Sequence, residues 1–214
     1  MKIKPMIYYS LFILGIVLLQ IGQAQAACEG KRMVVLGDSL VAGYGLAPGQ
    51  GFPEQLSSKL QNLGVSMEVV NAGVSGDTSS GGLSRLDWSI GEDADIVVVE
   101  LGANDALRGI PVEVTRENIE SIIVRLKEKG SEVILAGMLA PPNMGPQYGE
   151  AFNRIYPDLA EQHSVTLYPF FLEGVAAEPS LNLEDGIHPN TDGIKIMVEG
   201  FLPVVKQVLA KVCN

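Results

Sequence analysis

Two hydrophobic patterns alternate along the chain. Short apolar runs at 33–36, 67–70, 96–101, 133–139 and 165–168 each stop at a turn: Gly37-Asp38-Ser39, Asn71-Ala72-Gly73, Gly102, Pro141-Pro142 and Pro169. The runs are continuous rather than alternately polar, which predicts strands covered on both faces. Between them the spacing becomes helical. Residues 52–63 place Phe52, Leu56, Leu60 and Leu63 on one stripe. Residues 114–129 do the same with Ile119, Ile122, Ile123 and Leu126, with Thr115 as N-cap and Gly130 as stop. Further helices are predicted over 151–163 and 194–212, and a weaker one over 79–88, where Gly81 and Gly82 intrude. Strand–helix alternation of this kind implies an α/β fold, a parallel sheet sandwiched between helices. No repeat or linker divides residues 27–214, so a single domain is expected there.

The first residues follow neither pattern. Lys2 and Lys4 precede an apolar run over 7–21, and Ala24-Gln25-Ala26 follows it. A basic start, a short apolar run and an A-x-A site predict a signal peptide over 1–26, cleaved after Ala26. The run is shorter than the roughly 20 residues a spanning helix needs. The expectation is a periplasmic or secreted protein with no stable membrane span after cleavage. In an oxidising compartment the two cysteines, Cys28 and Cys213, either pair and tie the chain ends together or remain free thiols. Lipid attachment at Cys28 is a third reading, although Gln25-Ala26-Ala27 lacks the aliphatic residue usual three positions upstream of such a cysteine.

Composition narrows the partners. The 214 residues are 47% hydrophobic and 19% charged, with a formal net charge of −10. That apolar content excludes a disordered acidic chain. The negative charge argues against nucleic acid, which needs clustered Lys and Arg, and against docking on anionic lipid. Two cysteines are too few for a structural zinc site. Small molecules are the expected clients of a protein expected to be a monomer.

In open α/β sheets ligands bind beyond the carboxyl ends of the strands. Polar, glycine-rich clusters gather there: 37–39, 73–78 and 102–105. Ser39 follows the first strand directly. A serine hydroxyl needs a base, usually a histidine held by a carboxylate. Of the two histidines, His163 closes a predicted helix, where it complements the helix dipole. His188 lies in Asp185-Gly186-Ile187-His188-Pro189-Asn190, where Asp185 can fold back onto one ring nitrogen. Ser39, His188 and Asp185 are therefore a candidate triad. An oxyanion hole could be drawn from the backbone N–H groups of Ser39 and Gly76 and the side-chain amide of Asn104. Asp38 and Asp77 read as turn-fixing residues, and Trp88 as core or helix packing rather than a substrate platform.

Gly37-Asp38-Ser39-Leu40, Gly76, Gly102-Ala103-Asn104-Asp105 and Asp185-Gly186-Ile187-His188 resemble, in order, the four blocks of the SGNH hydrolases, or GDSL esterases. The longer stretches around them are similar to the bacterial periplasmic thioesterase I branch, which combines thioesterase, arylesterase and lysophospholipase activities. The resemblance implies Ser39 as nucleophile, His188 as base, Asp185 as its orienter, and Ser39, Gly76 and Asn104 as oxyanion donors. It also implies a three-layer α/β/α sandwich whose five-stranded parallel sheet has the flavodoxin-like order 2-1-3-4-5, with no metal or cofactor.

The substrate is then expected to be a small acyl ester or thioester. Residues 106–111 resemble a loop that covers substrate in the family. Residues 140–148 would line the acyl side, although Ala140-Pro141-Pro142-Asn143-Met144-Gly145 departs from the commoner family pattern. Leu107, Ile110, Pro142 and Met144 are the candidate substrate-binding residues. Two alternatives remain: a carbohydrate O-deacetylase with the same catalytic residues, and a non-enzymatic flavodoxin-like binding module. For the second, the loop after the first strand turns apolar too soon to cradle phosphate.

Overall fold

The computed structural model describes residues 28–213, so the expected signal segment lies outside the described residues. Five strands, β1 (Arg32–Gly37), β2 (Glu68–Gly73), β3 (Ile96–Glu100), β4 (Glu132–Ala136) and β5 (Thr166–Tyr168), form one parallel sheet in the order β2-β1-β3-β4-β5. Helices flank it on both sides. On one face α2 (Phe52–Asn62) packs against α9 (Thr191–Val212); on the other lie α6 (Val112–Glu128), α7 (Pro146–Asn153) and α8 (Ile155–His163). Short α1 (Ser39–Ala42), α3 (Ser79–Ser84), α4 (Leu86–Ile90) and α5 (Ala103–Leu107) decorate the turns.

Burial separates the strands. β3 is buried throughout, and β1 and β4 are buried beyond their first residue. β2 and β5 are largely half-exposed, with Glu68 and Asn71 open to solvent. Their apolar runs predicted cover on both faces; as outer strands they have a neighbouring strand on one side alone.

Several helix ends differ from expectation for local reasons. α6 begins at Val112, after Pro111, so Thr115 is no cap. It is buried in the first turn, where its hydroxyl donates to Asp105 at 3.2 Å. The expected helix over 151–163 starts earlier, at Pro146, and breaks at Arg154. Pro157 has no N–H to donate to the carbonyl of Asn153, so one continuous helix is disfavoured there. The 79–88 segment likewise splits at Arg85. Trp88 is not core: it is 86% exposed. Leu86 and Ile90, four residues apart, face inward on a one-turn helix, which turns Trp88 outward.

Cys28 and Cys213 form a disulfide with Cα atoms 4.9 Å apart. This settles the choice between paired and free thiols, and it leaves Cys28 no thiol for lipid attachment. Closing a loop this long stabilises a chain by about 2–5 kcal/mol. Among the described residues no helix is long and apolar enough to cross a membrane.

Candidate active site

The strand ends define the site. β1 runs into Asp38, whose side chain accepts the Leu40 N–H at 3.0 Å and caps α1, so Ser39 starts that helix at the sheet's carboxyl edge. α1 ends after one turn at Gly43, in the left-handed conformation that glycine adopts without cost. From the far end of the sequence, the loop before α9 delivers His188. Its Nε2 lies 2.9 Å from Ser39 Oγ, and its Nδ1 lies 2.7 Å from Asp185 Oδ2. Asp185 closes its own turn, Oδ1 accepting the N–H groups of Ile187 and His188 at 3.0 Å each. Those bonds and the imidazole hold its carboxyl down to about 2, with the Ile187 N–H the largest cause.

Facing Ser39, Gly76 sits at φ +83°, a conformation that favours glycine. Its carbonyl accepts from Arg108 Nη2 at 2.8 Å. The N–H groups of Ser39 and Gly76 have no protein acceptor among the described residues. Asn104 enters from α5, and its amide donates to Asp38 Oδ2 at 2.8 Å, which leaves a second N–H free to serve the cleft. Ser39, Gly76, Asn104 and His188 therefore meet around one space.

Buried polar bonds lock these loops together. Asp105 accepts from Ser79 N–H at 2.8 Å, Ser79 Oγ at 2.5 Å and Thr115 Oγ1, tying α5 to α3 and α6. Arg85 bonds Asp77 at 2.6 Å and the carbonyls of Ala72 and Gly37 at 2.9 Å each, stapling the 73–78 loop to the ends of β1 and β2. Asp38 and Asp77 thus fix turns, as their places in the sequence suggested. Burial, the largest cause, pushes the Asp38 carboxyl up against the pull of its hydrogen bonds from Leu40 and Asn104. His163 stays far from the site and pairs with Glu120 at 3.0 Å.

A cleft of about 650 Å³ opens beside Ser39. Leu107 and Pro142 line it, whereas Ile110 and Met144 lie outside its walls. The Ile110 carbonyl accepts from the Tyr148 hydroxyl at 2.9 Å, and the Met144 methyl lies toward Gly109. Much of the apolar wall comes from positions outside the expected substrate loops, including Met138, Leu139, Phe170, Leu172 and Ile187. Tyr44 also escaped notice. Its ring packs on His188 with centroids 4.5 Å apart. The signal was present in Gly43-Tyr44-Gly45, a turn five residues past Ser39 that presents one aromatic side chain.

Residues 35–196 match the GDSL-like lipase/acylhydrolase family. The chain belongs to that family. It is 39% identical over 201 residues to the esterase TesA of Pseudomonas aeruginosa, covering 94% of this chain and 99% of that protein. It is 41% identical over 167 residues to thioesterase 1/protease 1/lysophospholipase L1 of Escherichia coli, covering 78% and 79% of the two chains. A crystal structure of TesA superposes with a TM-score of 0.79 at 40% identity, covering 83% of this chain and 99% of that one. This chain is an esterase, and the flavodoxin-like binding-module reading is set aside. Among the described residues no cluster of His, Cys, Asp and Glu is arranged to hold a metal ion.

Proposed function

We propose that this esterase hydrolyses lipid-like or aryl acyl esters and thioesters through an acyl-enzyme on Ser39. His188 Nε2 takes the Ser39 proton as Oγ attacks the acyl carbonyl, then returns it to the departing alcohol or thiol. Asp185 holds the other ring nitrogen and stabilises the imidazolium. The oxyanion is received by the N–H groups of Ser39 and Gly76 and by the Asn104 amide. Water activated by His188 then releases the acid and restores Ser39.

One observation carries this reading: the 2.9 Å contact between Ser39 and His188, 149 residues apart in sequence. The apolar cleft beside them supports an acyl chain rather than a sugar as the buried group, which weighs against the O-deacetylase alternative. The relatives' names, an esterase and a thioesterase and lysophospholipase, support both ester and thioester cleavage. Export through a signal over 1–26, with residues 27–214 as the mature domain, agrees with the Cys28–Cys213 disulfide, since such bonds persist in oxidising compartments.

Ser39→Ala is expected to lower hydrolysis of a p-nitrophenyl ester on the order of 10⁴-fold or more with melting unchanged. Retained activity in that variant removes Ser39 as nucleophile. A series of acyl esters of rising chain length, run beside acetylated sugars, separates lipid-like substrates from the deacetylase alternative.

A further inference from the structure

Glu100 is an acid that the proposed reaction does not use. It ends β3, is fully buried, and lies directly behind the turn that carries Ser39. Its Oε2 accepts the Asp38 backbone N–H at 3.2 Å, which sets its carboxyl against Asp38, a residue that is itself fully buried. Its Oε1 is the one buried side-chain oxygen or nitrogen without a partner among the described residues. Gly37 makes room for it: a Cβ there would lie 2.6 Å from Glu100 Oε2 and 2.3 Å from Val41. The first glycine of the Gly-Asp-Ser block is thus shaped partly around Glu100.

An ionised carboxylate with an orphan oxygen in a dry site is costly. Two neighbouring buried carboxyls lower that cost by retaining one proton and sharing a single negative charge. We propose that Glu100 is a positioning residue for the oxyanion hole: it stays a neutral acid, donates its hydrogen to Asp38, and leaves a single negative charge there to hold the Asn104 amide. This rests on the assignment of Asn104 as an oxyanion donor.

The consequences for Asn104 follow from donor and acceptor chemistry. An anionic Asp38 only accepts, so the amide nitrogen of Asn104 must face it, and the second N–H is aimed toward the cleft. A second negative charge behind that donor would oppose the charge growing on the substrate oxygen. The groups facing Glu100 favour the neutral form. Asp38 adds negative charge from the β1–α1 turn, and burial followed by the Asp38 charge drives the Glu100 carboxyl well above the usual range. From α8, buried Tyr156 offers no compensating cation; its hydroxyl donates to the Leu101 carbonyl at 2.8 Å and is itself pushed up by burial and then by Glu100. Asp105 acts on Tyr156 with the same sign, and His188 is the smallest of the influences on Asp38, favouring its charged form.

The test pairs spectroscopy with kinetics. Infrared difference spectra of the wild type against Glu100→Gln at neutral pH should contain one protonated-carboxyl C=O stretch that the variant lacks. Its absence from the wild type overturns the proposal. Glu100→Leu, which keeps bulk but loses the donor, should lower kcat about 10–100-fold with KM near wild type. Glu100→Gln, which is neutral and keeps an amide N–H in place of the acid's O–H, should recover kcat to within about threefold of wild type. Wild-type kcat in folded Glu100→Leu overturns the idea, and so does a Glu100→Gln as impaired as Glu100→Leu. If Glu100→Leu does not fold, the infrared band and the Glu100→Gln kinetics still decide. The band is expected in Ser39→Ala as well, so it reports on Glu100 even if the nucleophile assignment fails.

Discussion

Asp185 and the Asp38–Glu100 pair both lie near Ser39, and their surroundings drive their protonation in opposite directions. Asp185 lies on an exposed loop, where two backbone N–H groups and an imidazole hold its carboxyl at about 2. Asp38 and Glu100 lie inside the sheet edge, where burial pushes both upward. The exposed acid is fitted to remain an anion and steady a developing cation. The buried pair is fitted to hold one charge and orient a donor for a developing anion. Hydration and local hydrogen bonds, rather than residue type, divide the two tasks.

That contrast can be broken in order of expected size. Asp185→Asn should lower kcat on the order of 10³–10⁴-fold, because the amide neither stabilises an imidazolium nor enforces the tautomer. Steady-state kinetics on a p-nitrophenyl ester provide the check, and a loss confined to KM contradicts the role given to Asp185. Asn104→Ala should cost about 10²–10³-fold in kcat, since one oxyanion donor is removed. A loss there as small as that of a distant surface change would take Asn104 out of the oxyanion hole.

The smallest effect is on stability against pH, where the two acids have opposite signs. Asp185 is depressed in the folded state, so its contribution is complete above the ordinary carboxylate pKa of about 4 and fades as pH falls toward about 2. Glu100 is raised, so above the ordinary carboxylate range the unfolded chain releases a proton that the folded one keeps. Stability then declines as pH climbs from about 5. Melting temperature measured across pH should be flatter on the acid side in Asp185→Asn and flatter above about pH 5 in Glu100→Gln. Parallel curves for all three proteins would show that neither acid titrates as described.

The fold was legible because its signals are local. Apolar runs stopping at Gly, Asn or Pro marked every strand, although β2 continues through the turn expected at 71–73, and the stripe through Phe52, Leu56 and Leu60 marked the helix those residues bury. Reading failed where a neighbour outweighed the local pattern. Thr115 looks like a cap, but Asp105 claims its hydroxyl. Trp88 looks like core until its one-turn helix places Leu86 and Ile90 inward. Ile110 and Met144 are apolar and near the cleft in sequence, yet neither is among the residues that line it. Leu107 and Pro142, chosen on the same grounds, do line it.

Chemistry-bearing residue types, their order along the chain and the strand ends that carry them belong to the sequence itself. Ser39 after an apolar run and His188 three residues beyond Asp185 are covalent facts. Only tertiary structure could decide that those groups meet across 149 residues, that Cys28 bonds Cys213, and that Glu100 stands in a dry pocket against Asp38. Contact across long separations and the loss of water around a charge depend on how sheet and helices pack, and no short stretch of chain contains that information.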